Sequence, residues 1–252
     1  MSVRKFEELY MNADSNIVAY LRSLKLTGFS KVFFLLSGLL VFLAACSNEE
    51  ARPADMFYEY FPDVPGHFVI YDVDSVVYDD FTGQTITYQY QVKELIESRF
   101  IDGEGKESIR LERFIRLSAL EPWEIKNIWQ ARVLPGRAEK TEENLTFIKI
   151  VFPPRLGQTW NGNAYNILPE QNYRITDAHK PYLISPALTF DSTVTVLQND
   201  FFTLISEDLQ EEKYAKYIGL VFKRYRSITK QPDGSIIGGV DYSYRISEFG
   251  ME

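Results

Sequence analysis

The side chains able to do chemistry in this 252-residue sequence are few and widely spaced. Of the two histidines, neither His67 nor His179 stands beside a carboxylate or a second ligand at metal spacing, so neither reads as a triad base or a zinc ligand. The densest acidic group, Asp72, Asp74, Asp79 and Asp80, lacks the glycine and distal glutamate of a calcium loop and reads as a solvated turn. No phosphate-cradling Gly-rich loop precedes a helix, and no G-x-S-x-G elbow occurs. No catalytic residue, metal site or cofactor is therefore expected. Carboxylates elsewhere are numerous enough to allow an acid/base pair, but such a pair needs a fixed separation across a cleft that linear sequence does not display. The best candidate for ligand contact is Trp160-Asn161-Gly162-Asn163 followed by Tyr165. An aromatic platform beside amide donors suits a sugar, which offers a face to stack on and hydroxyls to bond. The same residues also suit a tight Asn-Gly turn with Trp160 covering the edge of the core.

The most informative single residue is Cys46, the only cysteine. It follows an apolar run from Val32 to Ala45, entered from Lys31 and ending Leu43-Ala44-Ala45-Cys46. This pattern predicts a lipoprotein signal cleaved between Ala45 and Cys46, with acyl chains, palmitate among them, on Cys46. Fourteen residues at 1.5 Å each cover roughly 21 Å, short of the roughly 30 Å of a bilayer core, so a spanning helix is the poorer reading. A buried core helix would need one polar face, and this run has none. An ordinary secretory signal competes, since small residues also serve that peptidase, but it leaves the placement of Cys46 unexplained. Two or more acyl chains anchor stably where one does not, so the protein should fractionate with membranes. Once Cys46 is consumed, disulfides, thiolate metal sites and cysteine nucleophiles are excluded.

Five of the 27 basic and three of the 35 acidic residues lie within the first 46, leaving 22 and 32 beyond them, a net charge of −10. Nucleic acid is an improbable partner for such a chain, because phosphate binding needs a basic patch. The acidity suits solubility at an outer surface.

The elements that would position any site read as strands. Aromatic residues are 15% of the chain, mostly Phe and Tyr, a bias that favours sheet. Ile86, Tyr88, Tyr90 and Val92 alternate with Thr87, Gln89 and Gln91, the pattern of a half-buried antiparallel strand. Val69, Tyr71, Val73 and Val77 share a face, as do Val240, Tyr242, Tyr244 and Ile246. Leu145 to Phe152 is apolar on both faces and predicts a central strand; Arg137 to Asn144 predicts a solvent-facing strand or a loop. Tyr173 to Ala178 and Pro181 to Ile184 predict two short strands around a turn. Glu207 to Tyr217, rich in helix formers and free of Gly and Pro, predicts one short helix. The sum is an all-β, single antiparallel domain of about nine to eleven strands, a curved sheet or open barrel, with a two-sheet sandwich as the alternative. The expected organisation is a leader and signal peptide at 1–45, a lipidated tether at 46–65 and the all-β domain at 66–252.

The chain resembles a family of outer-membrane lipoproteins of Bacteroidota for which no activity is established. The resemblance rests on Tyr71-Asp72-Val73-Asp74-Ser75-Val76-Val77-Tyr78, Trp160-Asn161-Gly162-Asn163, Asp191-Ser192-Thr193-Val194-Thr195-Val196 and Tyr214-Ala215-Lys216-Tyr217-Ile218-Gly219-Leu220-Val221, with Tyr217 where the family tends to carry glycine. It implies no catalytic residue. It does imply an outer-membrane location: Ser47-Asn48-Glu49-Glu50 is similar to the acidic tetrad that sends lipoproteins of that phylum to the cell exterior, the periplasmic face being the alternative. It also implies O-glycosylation at Ser75 and Ser192, in Asp-Ser-Val and Asp-Ser-Thr.

Three functions follow as expectations. The first is a non-enzymatic binding or envelope-structural module, a monomer held to the membrane through Cys46, with a glycan, lipid or envelope protein as partner. The second is a carrier for a lipid or other apolar molecule, which would need a deep cavity lined by Tyr88, Tyr90, Tyr242 or Tyr244. The third is glycan hydrolysis, which would need two carboxylates facing each other across a cleft.

Overall fold

The computed structural model describes residues 54–252. The expectations at Ala45, Cys46 and the tetrad that follows therefore lie outside the described residues.

Twelve strands make one antiparallel sheet: β1 (His67–Tyr78), β2 (Thr85–Ile101), β3 (Glu107–Arg116), β4 (Glu124–Leu134), β5 (Arg137–Glu142), β6 (Leu145–Val151), β7 (Thr159–Asn161), β8 (Asn172–Ser185), β9 (Leu188–Phe202), β10 (Ser206–Ala215), β11 (Gly219–Lys230) and β12 (Ile236–Met251). Their order is β6-β5-β4-β3-β2-β1-β12-β11-β10-β9-β8-β7. Each half is a meander, and β1 and β12 join the halves from Tyr78 opposite Gly239 to His67 opposite Met251. The curved, barrel-like sheet is the expected class, and the two-sheet sandwich is not formed. Helix is confined, among the described residues, to the single 3-10 turn Tyr58–Tyr60.

The sheet closes almost completely between its edges. β6 and the β7–β8 loop are tied by Ile148 N–H to Gly162 C=O at 2.9 Å and by a bridge from Thr146 to Tyr165. Joining the edges removes most of the unpaired backbone that would otherwise template aggregation. Leu145–Val151 is thus an edge strand in sheet order rather than a central one. It is apolar on both sides because the barrel interior lies on one side and the seam loop covers the other. Bulges bend the strands; on β6, Ile150 faces Ala138 and Ile148 faces Glu139, which leaves Lys149 as the extra residue.

The helix expected at Glu207 to Tyr217 is the strand β10. Its backbone is paired on both sides, to β9 and β11, and alternation drives Glu212 and Tyr214 inward together. Tertiary pairing overrides helix propensity there. Arg137–Glu142 is a strand, but a buried one, with Ala138, Glu139 and Lys140 all inaccessible. The two short strands expected around Pro181 are one strand, β8, with four register shifts.

The expected tether is partly fold. Tyr60 is fully buried, and its hydroxyl bonds His179 Nδ1 at 2.8 Å and Ser192 Oγ at 2.7 Å. Tyr217 N–H donates to Glu59 C=O at 2.7 Å, and Pro62 lies against Gly219, whose φ of +89° suits glycine. Met56 to Pro65 therefore plugs the end of the barrel at which the β10–β11 turn lies.

Several exposed positions carry paired polar groups. Gln91 bonds Asp72 at 2.7 Å, Arg245 bonds Asp74 at 2.6 Å and Arg99 pairs with Glu107 at 2.7 Å. No helix among the described residues is long and apolar enough to cross a membrane.

Candidate functional site

A barrel of eight strands is just filled by its own side chains, so twelve leave space. Apolar packing occupies much of it, in clusters around Tyr71, Val92 and Ile246, around Ile150, Ile175 and Val196, and around Ile96, Ile109 and Leu111. Between these lies a cavity of about 280 Å³. One part of its wall is apolar, with Phe61 and Pro62 of the plug facing Val69, Ile96, Ile109, Leu111, Ile218 and Leu220. The rest carries three carboxylates, Glu94, Glu142 and Glu212, four cations, Arg113, Lys140, Lys149 and Lys223, and the rings of Tyr242 and Tyr244.

Most of these charges are paired at close range. Glu94 takes Arg113 Nε and Lys140 Nζ, each at 2.9 Å. Glu212 takes Lys149 Nζ at 2.7 Å and the Tyr214 hydroxyl at 2.5 Å, and Lys149 also reaches Glu142 at 3.4 Å. Arg113 stacks on Trp129 with its guanidinium carbon 3.7 Å from the ring centre, and Lys140 stands 4.8 Å from the same ring. Burying isolated charges is prohibitive, so mutual neutralisation is the condition on which this interior exists.

The pairing fixes protonation. Burial alone would raise the Glu94 carboxyl, but Lys140 and Arg113 hold it below the usual range. Burial likewise works against ionised Glu142 and Glu212; Lys149 and Lys223 overcome it and hold both low, Glu142 strongly. Burial would discharge Lys149 and Lys223, and Glu142 and Glu212 keep them charged well above the ordinary lysine value. A general acid needs a carboxyl raised toward neutrality, and a lysine base needs an amine lowered toward it. This cluster is tuned the opposite way. What it offers is fixed charge around a shaped cavity.

The residues singled out in the sequence sit elsewhere. Trp160 donates its indole N–H to Ile148 C=O at 2.9 Å across the seam. Asn161 Oδ1 accepts from the backbone N–H of Asn163 at 2.9 Å and of Gln171 at 3.2 Å. Asn163 is buried and bonds Pro169 C=O at 2.7 Å. A Cβ on Gly162 would lie 2.3 Å from the Tyr173 ring, so glycine is required. The motif is a seam clasp whose main polar groups bind the chain itself; only Tyr165 is half exposed, under the Arg137 guanidinium.

Ser75 is buried on β1, and the Ser192 hydroxyl bonds that of Tyr60 at 2.7 Å. His67 Nε2 meets Ile218 C=O at 2.9 Å, and His179 bonds Tyr60 as above. Asp79 caps the β1–β2 turn through the N–H groups of Phe81 and Thr82. No cluster among the described residues could hold a metal ion. Of the four tyrosines, Tyr242 and Tyr244 line the cavity, Tyr90 packs beside them and Tyr88 is half exposed.

No family model and no curated protein matches the chain. Two solved structures share its shape loosely. One is a candidate lipoprotein of Parabacteroides distasonis, 13% identical, over 76% of this chain and 98% of its own, with a TM-score of 0.39. The other is a candidate exported protein with a YmcC-like fold from Bacteroides fragilis, 10% identical, over 75% and 98%, with a TM-score of 0.41. Likeness of this degree carries no functional argument.

Proposed function

We propose that this protein is a non-catalytic binding module, held by acyl chains on Cys46 at the outer face of the outer membrane, that takes a small ligand into the lumen of its barrel. The observation that carries the reading is the 280 Å³ cavity, apolar on one side and lined on the other by ion pairs that keep their charges fixed. The anchor rests on the sequence Leu43-Ala44-Ala45-Cys46. A water occupies about 30 Å³ of liquid and a methylene about as much, so the lumen suits a molecule of roughly ten carbons rather than a two-chain lipid.

Two measurements test it. Intact mass of protein extracted from its native membrane, with Cys46→Ala alongside, should show acylation in the first and none in the second, and external protease should remove the protein from whole cells. Native mass spectrometry should show one small molecule bound per chain, reduced when Leu111→Trp fills the cavity. An unacylated product would remove the anchor, and binding unaffected by Leu111→Trp would remove the lumen as the site.

A further inference from the structure

The lumen is not electrically neutral. Four cations face three carboxylates around it, a formal excess of one positive charge. One of the four cations is held less closely than the others. Arg113, Lys140 and Lys149 each reach a carboxylate at 2.9 Å or less. Lys223 does not: its nearest carboxylate oxygen among the described residues is Glu212 Oε1 at 3.6 Å, an oxygen that already accepts from Lys149. Lys223 stands directly across from Glu212 on the neighbouring strand, lines the cavity and keeps a fifth of its side chain exposed. Its ammonium lies 6.0 Å from the Tyr242 ring centre, a contact that supplies a face but no anion.

We propose that the lumen recognises a small organic monoanion, a monocarboxylic acid whose carboxylate pairs with Lys223 and whose apolar body, of roughly ten carbons or fewer, lies against Ile96, Ile109, Leu111 and Leu220. This rests on the lumen-binding reading above and adds the ligand's charge. A monoanion brings the cavity to neutrality. A phosphate monoester, with a charge of about −1.5 to −2, would leave an excess negative charge buried. A neutral molecule would leave the formal positive excess of the lumen unmatched and Lys223 without a hydrogen-bonded anion.

The test is calorimetric titration of the full chain with decanoate and, as the uncharged probe of equal length, with decanol. Decanoate should bind at least about tenfold tighter, the scale of one hydrogen-bonded charge. Lys223→Met should abolish that preference while leaving decanol affinity in place. Glu212→Gln removes a negative charge instead and should tighten decanoate selectively, so the two substitutions move in opposite directions. Should Lys223→Met fail to fold, the sign of the Glu212→Gln effect decides the matter. Equal affinity for the two probes, or a Glu212→Gln effect shared by both, overturns the anion assignment and leaves lumen binding standing. Binding of neither probe overturns both.

Discussion

Lys149 Nζ lies 2.7 Å from Glu212 Oε1, so a residue near one edge of the sheet meets a residue of the other meander inside the barrel. The pair spans 63 positions of sequence and both side chains are almost wholly inaccessible. Removing one partner leaves the other as a buried, unpaired charge. Lys149→Met or Glu212→Leu alone should therefore cost about 3–5 kcal/mol, whereas the double substitution should cost much less than the sum. Denaturant unfolding of the four proteins in a double-mutant cycle measures the coupling. Additive effects would mean that the contact is unimportant to the fold.

Stability should follow the charge state of the same cluster. Glu94, Glu142 and Glu212 have carboxyls held below their ordinary value of 4.5. Their contribution is fully present above that value and is lost as pH falls through the lower folded values. Lys149 and Lys223 are raised above 10.5, so their contribution is complete below that value and is lost only as pH rises past it. Tm should be level from roughly pH 6 to pH 9 and fall steeply on the acid side. Glu142→Gln should flatten the acid limb, and an unchanged limb would show that this carboxylate does not govern it.

Closure of the barrel should depend on the seam clasp in a graded way. Trp160→Phe keeps the ring but loses the donor to Ile148 C=O, a change of about 1 kcal/mol. Gly162→Ala drives a methyl into the buried Tyr173 ring and should cost about 3 kcal/mol or more. Hydrogen exchange at the Ile148 amide, which donates to Gly162, should quicken in both variants, and more in the second.

The boundary between tether and fold can be located by truncation. Deleting residues 1–55 should leave Tm within about 1 °C, because Ala54 and Asp55 are exposed and burial among the described residues begins at Met56. Tyr60→Ala should cost about 3–5 kcal/mol, since Tyr60 is fully buried and bonds both His179 and Ser192. Thermal unfolding of the two proteins separates a free tether from a plug.

The sheet was legible where alternation is clean. Ile86, Tyr88, Tyr90 and Val92 on β2 announce a strand with two different faces, and Val240 to Ile246 do so on β12. Twelve strands rather than nine to eleven were not legible, because β5 and β10 carry buried Glu and Lys that imitate solvent-facing or helical sequence. The site was hidden for the same reason. Glu94, Arg113, Lys140, Lys149, Glu212 and Lys223 come from six strands, and only the fold assembles them. A faint signal existed: Glu94 falls between Val92 and Ile96, and Arg113 between Leu111 and Ile115, each a charge on the apolar side of an alternating strand. The Trp160 loop drew attention because an exposed platform and a structural clasp use the same residue types, and sequence does not say where an indole N–H points.

The most direct test of the account is to watch where a small apolar probe goes. Methyl and indole NMR spectra during titration with decanol should show saturable shifts at Ile96, Ile109, Leu111 and Leu220, while the Trp160 indole stays still. Shifts centred on Trp160 and Tyr165 with the lumen methyls unmoved would contradict it, placing the site on the seam loop and leaving the charged interior a purely structural filling.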